Sequence, residues 1–221
     1  IHATGAKGDA MLLAGEEGSS LTVEAADGEV KEFPLSYGQQ ALWFLNRLAP
    51  KSSAYNLLFS SRITPYVEID VMEKAFAALF RRHPMLDVVF SAETGAPVQR
   101  LQDDRTIDFR EHDARELGDD EIKELLVEHA IKPFDLQAGP VIRLELFRLD
   151  GSHIALLSMH HIISDAWSVV LLMNDLIESY FSIQAGLEPK FMPLEHRYSD
   201  YVRWQRNLLE SEASQRMRQY W

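Results

Sequence analysis

The hydrophobic pattern of the chain changes between two periods, one typical of helices and one typical of strands. Apolar residues recur at spacings of three and four between Asp70 and Arg82, which predicts an amphipathic helix with one buried face. The same spacing begins again at Val169, and Gly186 supplies a helix stop. Two long helices, each packing one face against a sheet, are therefore expected. Their predicted core positions are Met72, Ala75, Phe76, Leu79 and Phe80 in the first helix, and Val169, Leu172, Met173, Leu176, Ile177, Tyr180 and Phe181 in the second.

Two helix starts carry the pattern of a capping box, in which the N-cap side chain and the third helical residue satisfy each other's backbone donors. Ser36 with Gln39 predicts one such start, for a helix that Pro50 ends. Asp70 with Glu73 predicts the other. The apolar stripe expected along the first of these helices consists of Leu42, Leu45 and Leu48.

Shorter apolar runs predict strands. Asp150-Gly151 separates the runs from Val141 to Leu149 and from His153 to Met159, which is typical of a β-hairpin. Asp27-Gly28, within the alternating run from Leu21 to Phe33, gives the same signal near the N-terminus. Further strands are expected over Tyr55–Ile63, Val98–Leu101 and Thr106–Arg110, and further helices over Asp120–Ala130 and from Tyr198 towards Trp221.

The segment that follows the second hairpin carries most of the candidate chemistry. Its sequence, SMHHIISDAWS, predicts the end of a strand, a short loop and the start of a helix. Consecutive strand residues point to opposite faces, so one of His160 and His161 turns inward and the other faces an opening. The same divergence argues against a zinc or iron site built from these two histidines and Asp165. From spacing alone, a buried structural histidine and an N-cap role for Asp165 are as well supported as catalysis.

Composition limits the classes of function. With 46% hydrophobic and 25% charged residues among 221, the chain is an ordinary globular domain or a lobe of a larger one. It has no cysteine, which excludes disulfides and thiolate metal sites. The net charge of −12 disfavours nucleic acid as a partner. No apolar run reaches membrane-spanning length and no signal-peptide layout opens the sequence, so a cytoplasmic protein without membrane contact is expected.

Four motifs, in a fixed order, resemble those of the condensation domains of nonribosomal peptide synthetases, which are similar to chloramphenicol acetyltransferase. HHIISDAWS at 160–168 resembles HHxxxDGxS, and LSYGQQALWFL at 35–45 resembles the family's opening motif. Arg82 to Phe90 resembles R-H-E-x-L-R-T-x-F, and Tyr198 to Trp204 resembles Y-x-D-F-A-x-W. The resemblance implies an α/β fold of the α+β two-layer sandwich type, a chloramphenicol-acetyltransferase-like lobe with a mixed sheet packed with helices.

The resemblance also implies a domain organisation. Condensation domains consist of two similar lobes that face each other across a cleft, and the motifs of the second lobe do not occur here. Residues 1–34 are therefore expected to be an N-terminal linker or hairpin segment. Residues 35–221 are expected to be the N-terminal lobe, with the C-terminal lobe missing and the isolated lobe inactive.

The reaction that the resemblance implies is amide formation between a carrier-bound donor acyl or peptidyl thioester and an acceptor aminoacyl thioester. His161 matches the family's catalytic histidine, and His160 is expected to turn away as a structural residue. Asp165 is expected to be a buried structural carboxylate that pairs with an arginine, for which Arg82 is the candidate.

Three neighbours complete the expected site. Trp167 is expected to pack beneath the loop, and Ser168 to cap or line the start of the helix. Ala166 replaces the glycine of the motif. If that glycine lets the substrate approach the backbone closely, the alanine methyl group would narrow the substrate channel, and if it adopts a positive φ, the methyl group would strain the loop.

The resemblance implies no metal and no cofactor of the chain's own. Substrates would arrive on the phosphopantetheine arms of donor and acceptor carrier protein domains, with adenylation domains as neighbours. Two alternatives remain open. One is a noncatalytic, carrier-binding lobe, which is favoured by the departures at Asp87, where the motif has its second arginine, and at Ala166. The other is a related acyltransferase that uses a hydroxyl acceptor or a coenzyme A donor.

Overall fold

The computed structural model describes residues 31–93, 95–102, 107–212 and 214. Strands and helices alternate irregularly along this part of the chain, and a short 3-10 turn at Pro84–Asp87 precedes the third strand. The elements are β1 Glu32–Pro34, α1 Tyr37–Leu48, β2 Asn56–Ile63, α2 Ile69–Arg82, β3 Val88–Ser91, β4 Val98–Leu101, β5 Asp108–Asp113, α3 Asp119–Ala130, β6 Ile142–Leu149, β7 Ser152–His160, α4 Ala166–Gln184 and α5 Tyr198–Glu210.

The main sheet is mixed, as the resemblance implies. Its strand order is β2-β7-β6-β5, with β7 antiparallel to both neighbours and β5 parallel to β6. The turn between β6 and β7 places Gly151 at a φ of +74°, a conformation that favours glycine, and this confirms the predicted hairpin. Residue Asn56 of β2 lies opposite His160 of β7, so the second strand of the hairpin runs through the middle of the sheet to the histidine pair.

Helices cover both faces of this sheet. Helices α2 and α4 pack on the face that carries Leu144 and Leu157, in the largest apolar cluster. Helix α3 packs on the opposite face, where Ile122 meets Phe147 and Leu156. Because β6 and β7 are buried on both faces, the polar residues within them need partners inside the protein.

A smaller sheet lies beside the loop that follows β7. Its strand order is β1-β4-β3, and it packs with α1 in a cluster that contains Trp43, Phe90 and Ile162. Since Ile162 belongs to the loop itself, this cluster holds the loop after β7 against α1 and the small sheet.

The apolar stripes of two helices are narrower than predicted. On α1, Leu45 and Leu48 are exposed, the latter at 67%, and the buried residues are Gln39 and Trp43. On α4, Ile177 and Phe181 are exposed although Leu172, Leu176 and Tyr180 are buried, because only one side of the helix faces the sheet and α2. All five predicted core positions of α2 are buried, so that prediction is confirmed.

The helix starts agree with the predictions in one case of two. Ser36 forms the predicted capping box with Gln39 at the start of α1. The second capping box is wrong, because the N-cap of α2 is Glu68, two residues before Asp70, and it forms no side-chain cap. Asp70 therefore lies inside the first turn. A carboxylate there interacts favourably with the positive end of the helix dipole.

Two predictions fall wholly or partly outside the described residues. The hairpin expected over Leu21 to Phe33 is one, and of it only the short β1 is described. The helix expected to continue to Trp221 is the other, and its described part ends at Glu210. Among the described residues, no helix has the length and apolar character needed to cross a membrane.

Candidate active site

The two adjacent histidines diverge at the end of β7. His160 is the last strand residue and is only 2% exposed, whereas the next residue, His161, is exposed. The predicted alternation of the two side chains is therefore confirmed. Strand geometry thus gives the pair one buried member and one member that reaches solvent.

His160 forms part of the structure of the loop. Its Nδ1 accepts a hydrogen bond from the backbone N–H of Ile162 at 3.1 Å, so the ring proton lies on Nε2. Burial lowers the pKa of His160 to about 4, with a smaller contribution from the neighbouring His161. The ring is therefore neutral at neutral pH, in the form that can keep accepting this bond.

His161 has a fixed backbone and an exposed side chain. Its N–H donates to the carbonyl of Tyr55 at 2.8 Å, which continues the pairing between β7 and the residue preceding β2. The imidazole can accept or donate a proton or a hydrogen bond to a group bound outside the sheet. The structure therefore places the His161 side chain in solvent at the end of the central strand.

The amide of Gln39 connects the first turn of α1 to the histidine loop. Its Nε2 donates to the carbonyl of Ile162 at 3.1 Å and to Oε1 of Gln99 at 2.9 Å. Its Oε1 accepts from Nε2 of Gln99 at 2.8 Å and from the backbone N–H of Ser36 at 3.0 Å. Both amides are buried, so this reciprocal pair fixes the loop without competition from water.

Helix α5 is tied to the same corner of the molecule. The hydroxyl of Tyr198 lies 2.9 Å from Oγ of Ser36, and burial raises the pKa of Tyr198. The backbone N–H of Tyr37 donates to Oε1 of Gln205 at 3.0 Å. The first and last sequence motifs therefore meet at the start of α1, next to the histidine loop. The sequence identifies Gln39 as a helix cap and as part of the opening motif, and assigns Gln99 no role.

Asp165 is exposed and caps α4. Its Oδ1 accepts from the backbone N–H of Ser168 at 2.8 Å and from the Ser168 hydroxyl at 2.7 Å. These two hydrogen bonds lower the pKa of Asp165 below the ordinary range of an aspartate. The expectation of a buried carboxylate is therefore wrong, and the N-cap alternative is confirmed.

Arg82 does not pair with Asp165. Its Nε lies 3.9 Å from Oδ2 of Asp175, and its guanidinium lies over the ring of Phe191, 5.6 Å from the centroid. His83 contacts the same carboxylate at 2.6 Å. Ten helical residues separate Asp175 from Asp165, which is about 15 Å along the axis. The end of α2 therefore meets the middle of α4 instead of its start.

The remaining loop residues occupy the first turn of α4. Ala166 is the first helical residue, so φ is negative there and the alanine methyl causes no backbone strain. Trp167 is 69% exposed, so the expectation that it packs beneath the loop is wrong. At 100° per residue it lies on the side of the helix away from the buried Leu176. Ser168 lines the helix start as a donor to Asp165.

Asp165→Ala is expected to lower the free energy of unfolding by about 1 kcal/mol, the typical cost of losing an N-cap side chain. Asp165→Asn should cost less, because asparagine is an equally good N-cap residue. Denaturant unfolding measures both, with Glu178→Ala on the exposed side of the same helix as the control for a lost surface charge. A loss of several kcal/mol would instead indicate a buried ion pair.

Comparison with known proteins agrees with the motifs. Residues 29–221 match the family model of the condensation domain. The chain is 34% identical over 193 residues to a linear gramicidin synthase protein of Brevibacillus parabrevis, covering 85% of this chain and 2% of that protein. It is 36% identical over 200 residues to phosphinothricin tripeptide synthetase PhsC of Streptomyces viridochromogenes, covering 88% of this chain and 18% of that protein.

Solved structures show the same fold. The X-domain in its complex with OxyB from teicoplanin biosynthesis superposes with a TM-score of 0.78 at 26% identity, over 88% of this chain and 42% of the other. The starter condensation domain of rhizomide synthetase RzmA superposes with a TM-score of 0.78 at 18% identity, over 87% of this chain and 47% of the other. The chain therefore belongs to the condensation-domain family, with a chloramphenicol-acetyltransferase-like fold. It spans less than half the length of these solved chains and a small part of the curated relatives.

Proposed function

We propose that this chain is the N-terminal lobe of a condensation domain that joins a carrier-bound donor acyl or peptidyl group to a carrier-bound aminoacyl acceptor through an amide bond. The observation that carries the proposal is the placement of His161. It is an exposed imidazole at the end of the central strand β7, on a loop held by buried hydrogen bonds from Gln39 and to His160. Both thioester substrates are delivered on phosphopantetheine arms, so the lobe needs no cofactor of its own.

The chemistry asked of His161 is modest. The lone pair of the acceptor amine attacks the donor carbonyl carbon and forms a C–N bond. The C–S bond then breaks, the amine loses one proton, and the departing carrier thiolate gains one. A thioester is already activated, so alignment of the amine and transfer of its proton contribute most. An imidazole that reaches out of a rigid strand end can do both.

The neighbours of His161 have supporting roles in this proposal. His160 stays neutral and fixes the turn through Ile162, while Asp165 fixes the start of α4 through Ser168. Gln39 links the loop to α1. These residues position the histidine, and none of them needs to touch the reacting atoms.

The exposed apolar residues beside the loop support a second lobe. Trp167, Val170 and Leu171 all lie exposed on the first turns of α4, next to the histidine loop. Neighbouring exposed apolar side chains of this kind mark a surface that another protein surface covers. The chain covers less than half of the length of the two solved relatives, which is consistent with this assignment. We infer that the partner lobe forms the opposite wall of the substrate channel.

A noncatalytic binding lobe is the second candidate. The teicoplanin X-domain, to which this chain is similar at 26% identity, is described in a complex with OxyB. The departures at Asp87 and Ala166 also favour this alternative. In that case the same surface would recruit a protein partner, and His161 would have no effect on chemistry.

The test is a condensation assay with two loaded carrier proteins. Amide formation is expected from a polypeptide in which this chain is joined to a C-terminal condensation lobe, and none from the 221-residue chain alone. Amide made by the chain alone would contradict the lobe assignment. Carrier or partner binding without amide formation by the two-lobed polypeptide would instead support the binding lobe.

A further inference from the structure

Three side chains with metal-ligating atoms meet on the far side of the sheet from α2 and α4. His112 lies on β5, His129 in the last turn of α3, and Glu145 on β6. Oε1 of Glu145 lies 2.6 Å from Nδ1 of His129 and 3.1 Å from Nε2 of His112. One ligand atom from each residue falls within 4.8 Å of the others.

This cluster is separate from the histidine loop. Glu145 lies opposite Leu156 in the antiparallel pairing of β6 and β7, and Leu156 precedes His160 by four residues. Four strand residues span about 13 Å. The cluster therefore has no part in the chemistry proposed for His161.

Glu145 is a buried carboxylate with few partners. The side chain is 0% exposed, and its ion-pair partners among the described residues are the two histidines alone. Its second oxygen, Oε2, is buried without a hydrogen-bond partner in the same part of the chain. A buried carboxylate oxygen without a partner is unfavourable, and a bound cation would give it one.

The neighbouring arginines form ion pairs with other carboxylates, although Nη1 of Arg143 is buried without a hydrogen-bond partner among the described residues. Arg143, two residues along β6, has its Nε 3.1 Å from Asp108 and its guanidinium over the ring of Phe134. Arg148 pairs with Glu111 at 3.2 Å. Neither arginine forms an ion pair with Glu145 among the described residues. A cation that balances the Glu145 carboxylate would therefore lie between it and the two histidines.

We propose that His112, His129 and Glu145 form a binding site for a divalent transition-metal ion of the zinc class. Two imidazole nitrogens and one carboxylate oxygen are a ligand set that zinc accepts, with a fourth position left for water. The doubly charged ion would balance the carboxylate of Glu145. Oε2, which has no hydrogen-bond partner among the described residues, would offer the ion a second ligand atom. The chemistry proposed for His161 makes no use of these three residues.

The surroundings of the cluster fit this proposal. The ring of His112 stacks on Phe147, 4.9 Å between centroids and 21° between planes, and His129 meets the same ring edge-on at 5.2 Å. Phe147 thus fixes both imidazole orientations. The His112 side chain keeps 27% of its surface exposed, which gives an ion a route from solvent. Zinc bonds of about 2.0–2.2 Å require the ligand atoms to move apart by a fraction of an ångström, most of all Nδ1 of His129 and Oε1 of Glu145, which lie 2.6 Å apart.

The consequence of binding is structural. Strand β5 pairs with β6 alone in the described sheet, so it is an edge strand. An ion held by β5, α3 and β6 would fasten this edge strand and the end of α3 to the centre of the sheet. Because the unfolded chain lacks the assembled site, binding should appear directly as added stability.

The experiment uses the untagged 221-residue chain, freed of metal by a chelator and kept at slightly alkaline pH, because protons compete with metal ions for the ligand atoms. Titration with zinc chloride is expected to show one ion bound per chain by calorimetry. At free zinc about 100 times the dissociation constant, the melting temperature should rise by roughly 5–10 °C. Cobalt(II) in the same site should give the visible absorption of a four-coordinate ion.

Matched variants assign the site. His112→Phe removes a ligand but keeps an aromatic ring on Phe147, and it should weaken zinc binding more than about 100-fold, since even outer-shell changes cost about 10–100-fold. Glu145→Gln should also abolish the thermal shift, whereas His196→Ala, at an exposed histidine, should bind zinc like the parent. Retained affinity in His112→Phe would overturn the proposal. So would the absence of zinc binding to the parent chain.

Discussion

His161→Ala is expected to lower the rate of amide formation by about 10²–10⁴-fold, the range for losing a positioned acid–base group. The expectation applies to the two-lobed polypeptide, assayed with saturating loaded carriers so that the chemical step is measured. The melting temperature should stay nearly unchanged, because an exposed imidazole whose backbone alone is hydrogen-bonded contributes little packing. Loss of rate without loss of stability would place His161 in the chemistry.

The control is His196→Ala, which removes an exposed histidine from the segment before α5. Its rate and melting temperature should equal those of the parent. If His161→Ala keeps full activity, the imidazole is not needed and the binding-lobe alternative gains support. If it unfolds the protein, the loop depends on the side chain in a way that the exposed position does not explain.

The elements that local pattern predicts well are those in which neighbouring residues decide the outcome. The Asp150-Gly151 turn forms because glycine accepts the positive φ that a tight hairpin needs, and the divergence of His160 and His161 follows from strand alternation alone. The core face of α2 is predictable because both α4 and the sheet cover it.

The errors concern contacts between distant segments. The pairing of Arg82 with Asp175 instead of Asp165 depends on where the end of α2 meets α4, which spacing along the chain does not encode. Trp167 is of a residue type common in cores but lies on the uncovered side of its helix. Leu48 is likewise apolar and exposed, because no element in the described part of the chain covers its side of α1.

Gln39 and the His112 cluster show what sequence reasoning misses. Gln39 has the pattern of an ordinary capping residue, and its amide partner at Gln99 lies 60 residues away. The three members of the cluster lie far apart in sequence, without the short ligand spacing that marks common zinc sites. The parallel pairing of β5 with β6 is what brings His112 to Glu145.

The second large effect is expected in acid and originates at His160. Burial holds its pKa at about 4 in the folded protein, whereas the unfolded chain titrates near the ordinary value of 6.5. Between these values the unfolded state binds more protons, so the free energy of unfolding falls as the pH falls. The loss is complete below the folded pKa and amounts to at most about 3 kcal/mol. Above about pH 7 the pH dependence from this group is absent.

The main physical cause is the burial of the ring, and the hydrogen bond from Ile162 acts in the same direction. A protonated imidazole carries hydrogen on both nitrogens, so Nδ1 can no longer accept from the Ile162 N–H. Protonation therefore places a charge in a buried site and also breaks the hydrogen bond that shapes the loop. His161, the next residue, adds a smaller charge repulsion that disfavours the protonated ring.

His160→Asn tests this account, because the asparagine oxygen can take the place of Nδ1 as acceptor and does not titrate. Near neutral pH the variant should be somewhat less stable than the parent, owing to its smaller side chain. The difference should shrink and then reverse as the pH is lowered to about 4.5, since only the parent loses stability through this group. Denaturant unfolding across this range measures the change, and His196→Asn should follow the parent at every pH. Parallel curves for His160→Asn and the parent would mean that the ring at 160 is protonated equally in the folded and unfolded states, and its place as a neutral acceptor in the loop would have to be abandoned.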